Sequence, residues 1–372
     1  MNLTRPGQRS HPILVLLALA AVLAACAEVP RDGAGELAVS AEPAALAVPP
    51  SRPATTGLDT ALLDAAFVRA AELPRLHSLI VARHGEIVRE EYFRGPGRAR
   101  AANIKSASKS IISALVGIAI AEGHLEGIDQ PVALLLPDDL PDDGDPRLST
   151  VTIGNLLSMQ SGLEPTSFQN YGRWVASRNW VRFVLARPLV DMPGGRMLYS
   201  TGSTHLLSAI LTRATGQSTL AYARAKLGGP LGIEIPSWTR DPQGVYFGGN
   251  EMLLRPRDLF AFGELYRNGG RHDGQTIVPE DWIRDSWVQR TTSPYNGHGY
   301  GLGWWMRRTN GYDVRFAWGY GGQYVFIVPE LELTVVTTSD AYSRREGDHN
   351  RALHDLLDDY FIPAAELGSA RN

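Results

Sequence analysis

Beyond residue 57 the spacing of apolar residues switches between a helical and a strand period. Leu58, Leu62, Leu63, Ala66 and Phe67 recur at helical spacing and predict a helix over 58–71. The run Ser78-Leu79-Ile80-Val81-Ala82 and the run 86–92 flank the turn signal His84-Gly85 and predict a β-hairpin. Residues 108–122 are apolar nearly all round, with Ile111, Ile112, Leu115, Val116, Ile118 and Ile120, and stop at Gly123. A helix without a wet face is buried on every side. From about 125 to 240 the pattern predicts short helices, at 153–159, 174–186, 204–215 and 219–227, joined by proline- and glycine-bearing loops. Strand signals return at 301–307, 314–318, 324–328 and 333–338, followed by a last helix over 350–361. Strands at both ends and helices between them predict an α/β (α+β) fold: one sheet domain closed by the two chain ends, with a mostly helical insertion over about 125–240.

Residues 1–57 do not share this pattern. Arg5 and Arg9, without an acid among the first eleven residues, precede an almost purely apolar stretch over 12–25. That is the layout of a secretory signal, too short for a comfortable membrane span. It ends in Leu23-Ala24-Ala25-Cys26, which resembles the bacterial lipoprotein box, and the alternative is a plain signal peptide with an incidental cysteine. The expectation is a signal peptide over 1–26, lipidation at Cys26, and a flexible Ala/Pro-rich tether over 27–57 leading to a folded domain over 58–366. Such a chain is exported and held in the cell envelope by its membrane anchor. With Ala27 after the cysteine, a Gram-negative host would sort it to the outer membrane, facing the periplasm.

Composition narrows the chemistry. The chain of 372 residues is 44% hydrophobic and 20% charged with a net charge of −3. That ordinary globular balance carries no basic stripe, so nucleic acid is not an expected partner. The single cysteine excludes an intrachain disulfide framework and cysteine-rich metal sites. Among 36 basic residues only Lys105, Lys109 and Lys226 are lysines, which makes a lysine in a motif worth examining.

Ser106-Ala107-Ser108-Lys109 stands at the entrance of the buried helix. A serine and a lysine three residues apart share a face, so the amine can approach the hydroxyl. Backbone N–H groups of the first turn, that of Ser106 included, can bind a developing oxyanion. Burial beside an apolar helix lowers a lysine pKa toward the neutral form that a base requires. Ser-x-x-Lys also fits a helix cap with a solvated lysine, but the helix offers no wet face to solvate it.

The motif, taken with Gly194-Gly195-Arg196-Met197-Leu198-Tyr199-Ser200-Thr201, resembles the serine β-lactamase and penicillin-binding-protein superfamily over nearly the whole chain after the tether. The resemblance implies a β-lactamase/transpeptidase-like fold, an antiparallel sheet flanked by helices plus a mostly helical domain. It also implies an acyl-accepting Ser106, a Lys109–Tyr199 pair that shares a proton with the phenolate favoured beside the ammonium, and no metal or organic cofactor. Two further stretches, 156–163 and Gly248-Gly249-Asn250-Glu251-Met252 leading to Arg257-Asp258-Leu259, match the family as structural signatures, with Ser161 and Glu251 holding loops.

The third family motif, Lys-Thr-Gly or His-Thr-Gly, is missing. Ala317-Trp318-Gly319-Tyr320-Gly321-Gly322-Gln323 stands in its place, and Thr201 replaces the asparagine of Tyr-x-Asn. Both departures resemble family VIII carboxylesterases and 6-aminohexanoate-dimer hydrolases, and they argue against efficient β-lactam hydrolysis. On this reading Trp318, Gly319, Tyr320, Gly321 and Thr201 line the substrate side, with the Tyr320 N–H as second oxyanion donor. A plain tight turn is the alternative. Of Trp304 and Trp305, one is expected in the core and one on the cleft, with His298 and Tyr300 beside it.

Other chemistries lack their signals. There is no His-Glu-x-x-His, no Gly-x-Ser-x-Gly elbow and no P-loop, and prolines interrupt the acidic run over 138–145. The expected activity is hydrolysis of small ester or amide substrates through an acyl-serine. A DD-peptidase or β-lactamase, and a non-catalytic envelope scaffold, remain as alternatives. Oligomeric state is not legible.

Overall fold

Alternation of side chains along the strands decides the architecture. The computed structural model describes residues 57–342 and 347–370. Its main sheet contains β1 (Leu76–Arg83), β2 (Glu86–Tyr92), β3 (Thr291–Thr292), β4 (Gly299–Tyr300), β5 (Trp305–Thr309), β6 (Tyr312–Gly319), β7 (Gln323–Val328) and β8 (Leu333–Ser339). The strands are antiparallel in the order β2-β1-β8-β7-β6-β5-β4-β3. β1 pairs with β8, Leu79 facing Thr337 and Arg83 facing Leu333, so early and late parts of the chain close the sheet as the strand pattern predicts. His84 (φ 54°) and Gly85 (φ 87°) are both left-handed. Two such residues make the turn whose twist suits a two-residue hairpin.

Both faces of the sheet are covered. Tyr324, Phe326 and Val328 of β7 join Phe67, Leu353 and Phe361 in one core, while Val325 and Ile327 join Ile111, Leu115 and Phe262 in the other. The main helices are α1 (Thr60–Ala71), α2 (Ser108–Ala121), α3 (Thr201–Thr215), α4 (Pro256–Arg267), α5 (Gly347–Leu356) and α6 (Ile362–Ala370). The first core lies under α1, α5 and α6, the second under α2 and α4. A strand with two buried faces reads as a near-continuous apolar run, and β7 does.

Helix α2 is buried along most of its length. Its polar positions are matched by the turn after β4: Ser110 Oγ donates to the Gly303 carbonyl at 2.6 Å and Ser113 Oγ to that of Leu302 at 2.7 Å. This turn corrects the expected strand over 301–307. Gly303 is left-handed (φ 81°), and pairing resumes only at Trp305. Trp304 consequently points into the core against Phe262 and Tyr266.

The region between sheet segments is helical, with finer breaks than predicted. The expected helix over 174–186 is two, Tyr171–Val175 and Trp180–Leu185, because the Asn179 side chain accepts from the Arg182 N–H at 2.9 Å and caps the second. Residues 219–227 form Thr219–Ala223 and a wider turn, Arg224–Gly228. Trp174, Trp180 and Phe247 enclose His205, whose Nε2 lies 3.0 Å from Asp241 Oδ2 with both side chains fully buried. Helix α4, which the sequence reading passed over, buries Leu259, Phe262, Leu265 and Tyr266. The expected leader, Cys26 and nearly all of the tether lie outside the described residues.

Candidate active site

The segment carrying Ser106 is held from both sides. Ala102–Asn103 pairs with Leu253–Leu254, and the Ile104 N–H donates to the Met252 carbonyl at 3.0 Å. Lys105–Ala107 then forms a 3-10 turn that feeds α2. Ser106 therefore precedes the α-helix, where an α-helical first turn was expected. The shared face survives, while the Lys105 N–H donates to Asn103 Oδ1 at 3.0 Å and the Ala107 N–H to the Ile104 carbonyl at 3.1 Å. The end of β6 approaches from the other side. A Cβ on Gly319 would stand 2.1 Å from the Ile104 carbonyl oxygen, so only glycine lets this strand lie against the nucleophile turn.

Lys109 is 3% exposed. Its Nζ lies 2.7 Å from the Gly249 carbonyl, 3.2 Å from Thr201 Oγ1 and 3.1 Å from Ser106 Oγ. A carbonyl can only accept, so one amine hydrogen goes to Gly249. A neutral amine keeps one more hydrogen for Thr201 and a lone pair for the Ser106 hydroxyl to donate to. Burial without a neighbouring carboxylate pushes Lys109 down from 10.5 to about 7, which makes that neutral form accessible. Gly249 (φ +78°) closes the packing: a Cβ there would meet Lys109 Cγ and Thr204 Cβ, each at 2.8 Å.

Tyr199 immediately precedes Ser200, the N-cap of α3. Its ring stacks on Trp305 at 5.8 Å and meets Tyr300 edge-on at 6.5 Å. Lys109 Nζ lies 5.2 Å from the ring centroid, and Tyr199 and Ser106 share the wall of one cleft. Burial raises the phenol to about 12. This direction runs against the phenolate expected beside an ammonium. Burial disfavours the charged form of both side chains, the ammonium of Lys109 and the phenolate of Tyr199.

These groups open into a cleft of about 860 Å³. Of the predicted lining residues, Thr201, Trp318 and Tyr320 are on its wall, together with Trp305 of the tryptophan pair. Gly319 acts through the close approach just described. Gly321 shapes the turn behind the wall: it is left-handed (φ +89°) and a Cβ would lie 2.5 Å from the Asp340 carbonyl. Gln323 ties that turn to β8, its amide exchanging bonds with the Ser339 backbone at 2.8 and 3.0 Å. His298 and Tyr300 do not line the cleft. Tyr300 is buried against Trp305, and His298 packs on Phe316 and His354.

The sequence reading missed several wall residues. Lys105, next to the nucleophile, has a left-handed backbone (φ 48°), and its Nζ lies 2.7 Å from Glu251 Oε1 and 4.6 Å from the Tyr342 ring centroid. Glu251 is also left-handed (φ 59°) and accepts from Asn103 Nδ2 at 2.7 Å. The loop-holding role expected of Glu251 is thus visible, and the scarcity of lysines was the available signal for its partner. Phe168 and Tyr171 gave no signal. Among the described residues no cluster of histidine, cysteine or carboxylate side chains could hold a metal ion.

Comparison with known proteins gives a consistent picture. A family model described as Beta-lactamase matches residues 75–358. Esterase EstB of Burkholderia gladioli is 31% identical over 53% of this chain, and the match spans 57% of the esterase. The 6-aminohexanoate-dimer hydrolase of Paenarthrobacter ureafaciens is 25% identical over 77% of this chain and 80% of its own length. Among solved structures, EstCE1, a hydrolase with promiscuous acyltransferase activity, superimposes with a TM-score of 0.66 at 18% identity, over 82% of this chain and 99% of that one. The octameric penicillin-binding protein homologue from Pyrococcus abyssi gives 0.64 at 19% identity, covering 81% and 77%.

Proposed function

Because the chain belongs to the beta-lactamase family, a family that includes esterase and amide-hydrolase relatives, we propose that it is a serine hydrolase cleaving ester or amide bonds of small neutral acyl substrates. One observation carries the reading: a buried lysine amine with a pKa lowered to about 7, 3.1 Å from a partly exposed serine hydroxyl on the wall of a large cleft. Ser106 Oγ attacks the carbonyl carbon as its proton moves to Lys109 Nζ, and the carbonyl oxygen takes the negative charge. The Ser106 N–H stabilises that charge, with the Tyr320 backbone as the second donor expected from its place on the wall. Collapse breaks the bond to the leaving group, which collects the proton from Lys109 through the Tyr199 hydroxyl. Water then attacks the acyl-serine, giving its proton to Lys109, and Ser106 recovers its hydrogen as the acid departs.

Two features favour esters and simple amides over β-lactams: Thr201 hydrogen-bonds Lys109 and Ser167, and no lysine stands in the β6 motif to meet a substrate carboxylate. The purified chain is expected to turn over p-nitrophenyl butyrate with a kcat/KM at least about a hundredfold above that for nitrocefin. The reverse ranking, with labelling by a fluorescent penicillin, identifies a β-lactamase or DD-peptidase instead. Attachment to the envelope through a lipid on Cys26 is part of the same proposal and rests on the leader pattern alone. In cells fed a tagged fatty acid the chain is expected to take up the label and Cys26→Ala to lose it; an unlabelled parent, or a label kept by the variant, rejects the anchor.

A further inference from the structure

The outer part of the cleft is aromatic. Phe168, Tyr295, Tyr320 and Tyr342 line it while remaining 66%, 64%, 42% and 74% exposed. Large rings normally bury most of their surface, so a group of exposed rings around a reactive serine marks a surface made to be covered. Phe168 adds a stronger sign. It is held at φ +56°, a conformation that a bulky side chain rarely adopts. Its neighbours hold it there: Ser167 Oγ accepts from the Thr201 N–H at 2.9 Å, and Asn170 Nδ2 donates to the Pro165 carbonyl at 2.9 Å. Strain of this kind persists where the surrounding structure fixes it, and such sites cluster at ligand clamps.

The result of that strain is a continuous path of rings. Phe168 meets Tyr295 at 5.6 Å with the planes 53° apart, and Tyr199 at 6.5 Å and 46°. The path runs from the rim to Tyr199, which shares the inner wall with the nucleophile. The polar side chains along the wall are meanwhile engaged with one another or with backbone. Lys105 pairs with Glu251, Asn250 Nδ2 donates to Tyr171 Oη, Ser293 Oγ accepts from the Tyr295 N–H, and Asn296 Oδ1 from that of His298. The exposed rings of the wall are tilted to one another, in place of a flat platform. A planar aryl group needs only ring faces and edges.

Resting on the hydrolase reading above, we infer that the cleft selects esters or amides carrying an aromatic ring one to three bonds from the scissile carbonyl or its leaving oxygen, packed against the Phe168–Tyr295 ring pair. The test uses matched pairs of equal chemical reactivity: methyl 3-phenylpropanoate against methyl 3-cyclohexylpropanoate, and benzyl acetate against cyclohexylmethyl acetate. The aryl member of at least one pair is expected to show about tenfold higher kcat/KM, the upper end for one well-placed aromatic contact. That ratio should persist in Phe168→Tyr and fall below about threefold in Phe168→Leu. Because each ratio compares two substrates on one protein, partial loss of folding in a variant does not alter its meaning. Ratios near one in the parent protein, or a ratio unchanged in Phe168→Leu, overturn the inference while leaving the hydrolase reading intact. Absence of turnover with all four esters overturns both.

Discussion

Ser106→Ala is expected to lower turnover of p-nitrophenyl butyrate by at least about 10⁴-fold, because the loss of a nucleophile removes the covalent route and leaves only binding and the oxyanion site. The same change should abolish the mass shift of the acyl-enzyme and the adduct formed by a fluorophosphonate probe. Folding should hardly change. Ser106 is partly exposed, its hydroxyl bonds only Lys109 among the contacts described, and alanine suits the short turn it occupies. A shift in stability within about 1 kcal/mol is the expectation for such a site. The probe makes the result informative in both directions. A scaffold that has kept the fold without turnover would show no adduct in the parent chain, and a hydrolase working through another group would keep its activity in the variant. An alanine variant that retains activity within tenfold of the parent rejects the assignment of Ser106.

Much of this site was legible because the residues that carry it are close in sequence. Ser106 and Lys109 lie three apart, and the all-apolar pattern of α2 announced that the lysine would be buried. The strands were legible for a similar local reason: Tyr324 to Val328 alternate between two cores, and the pattern needs no knowledge of what covers them. Helix α4 carries an equally readable stripe in Leu259, Phe262, Leu265 and Tyr266. The short strands β3 and β4 are two residues each, below the length at which alternation can be seen.

What was not legible depends on contacts across the chain. The Lys105–Glu251 pair joins residues 146 apart, and the left-handed backbone at both ends has no signature in residues other than glycine. Phe168 is the same kind of case, a phenylalanine in an ordinary loop by sequence and a strained one by structure. Tyr199 shows the limit of pairwise electrostatic reasoning. A lysine beside a tyrosine predicts a phenolate only if the lysine keeps its charge, and burial takes it away from both.

That electrostatic arrangement gives the second large effect, on pH. Lys109 can accept the serine proton only when neutral, and its pKa near 7 means that kcat/KM should be half-maximal near pH 7 and fall about tenfold per unit below it. Tyr199, held as a phenol up to about 12, gives no falling limb through pH 10. Lys109→Met should cost at least about 10³-fold in activity and remove the inflection. Stability supplies an independent readout. The folded pKa lies below the unfolded value of 10.5, so between about pH 7 and 10.5 the unfolded chain binds more protons than the folded one, and the parent gains stability as pH rises through that window. The penalty for burying the amine is complete below pH 7 and vanishes above 10.5. Methionine carries no such penalty, although it leaves the Gly249 carbonyl and Thr201 Oγ1 without the amine. The absolute stability difference is therefore less telling than its slope. Relative to the parent, Lys109→Met should lose about 3 kcal/mol between pH 7 and pH 10 in denaturant unfolding. Parallel stability curves for the two proteins would mean that Lys109 has the same pKa folded and unfolded, and a lysine of that kind cannot be the base that starts the reaction at neutral pH.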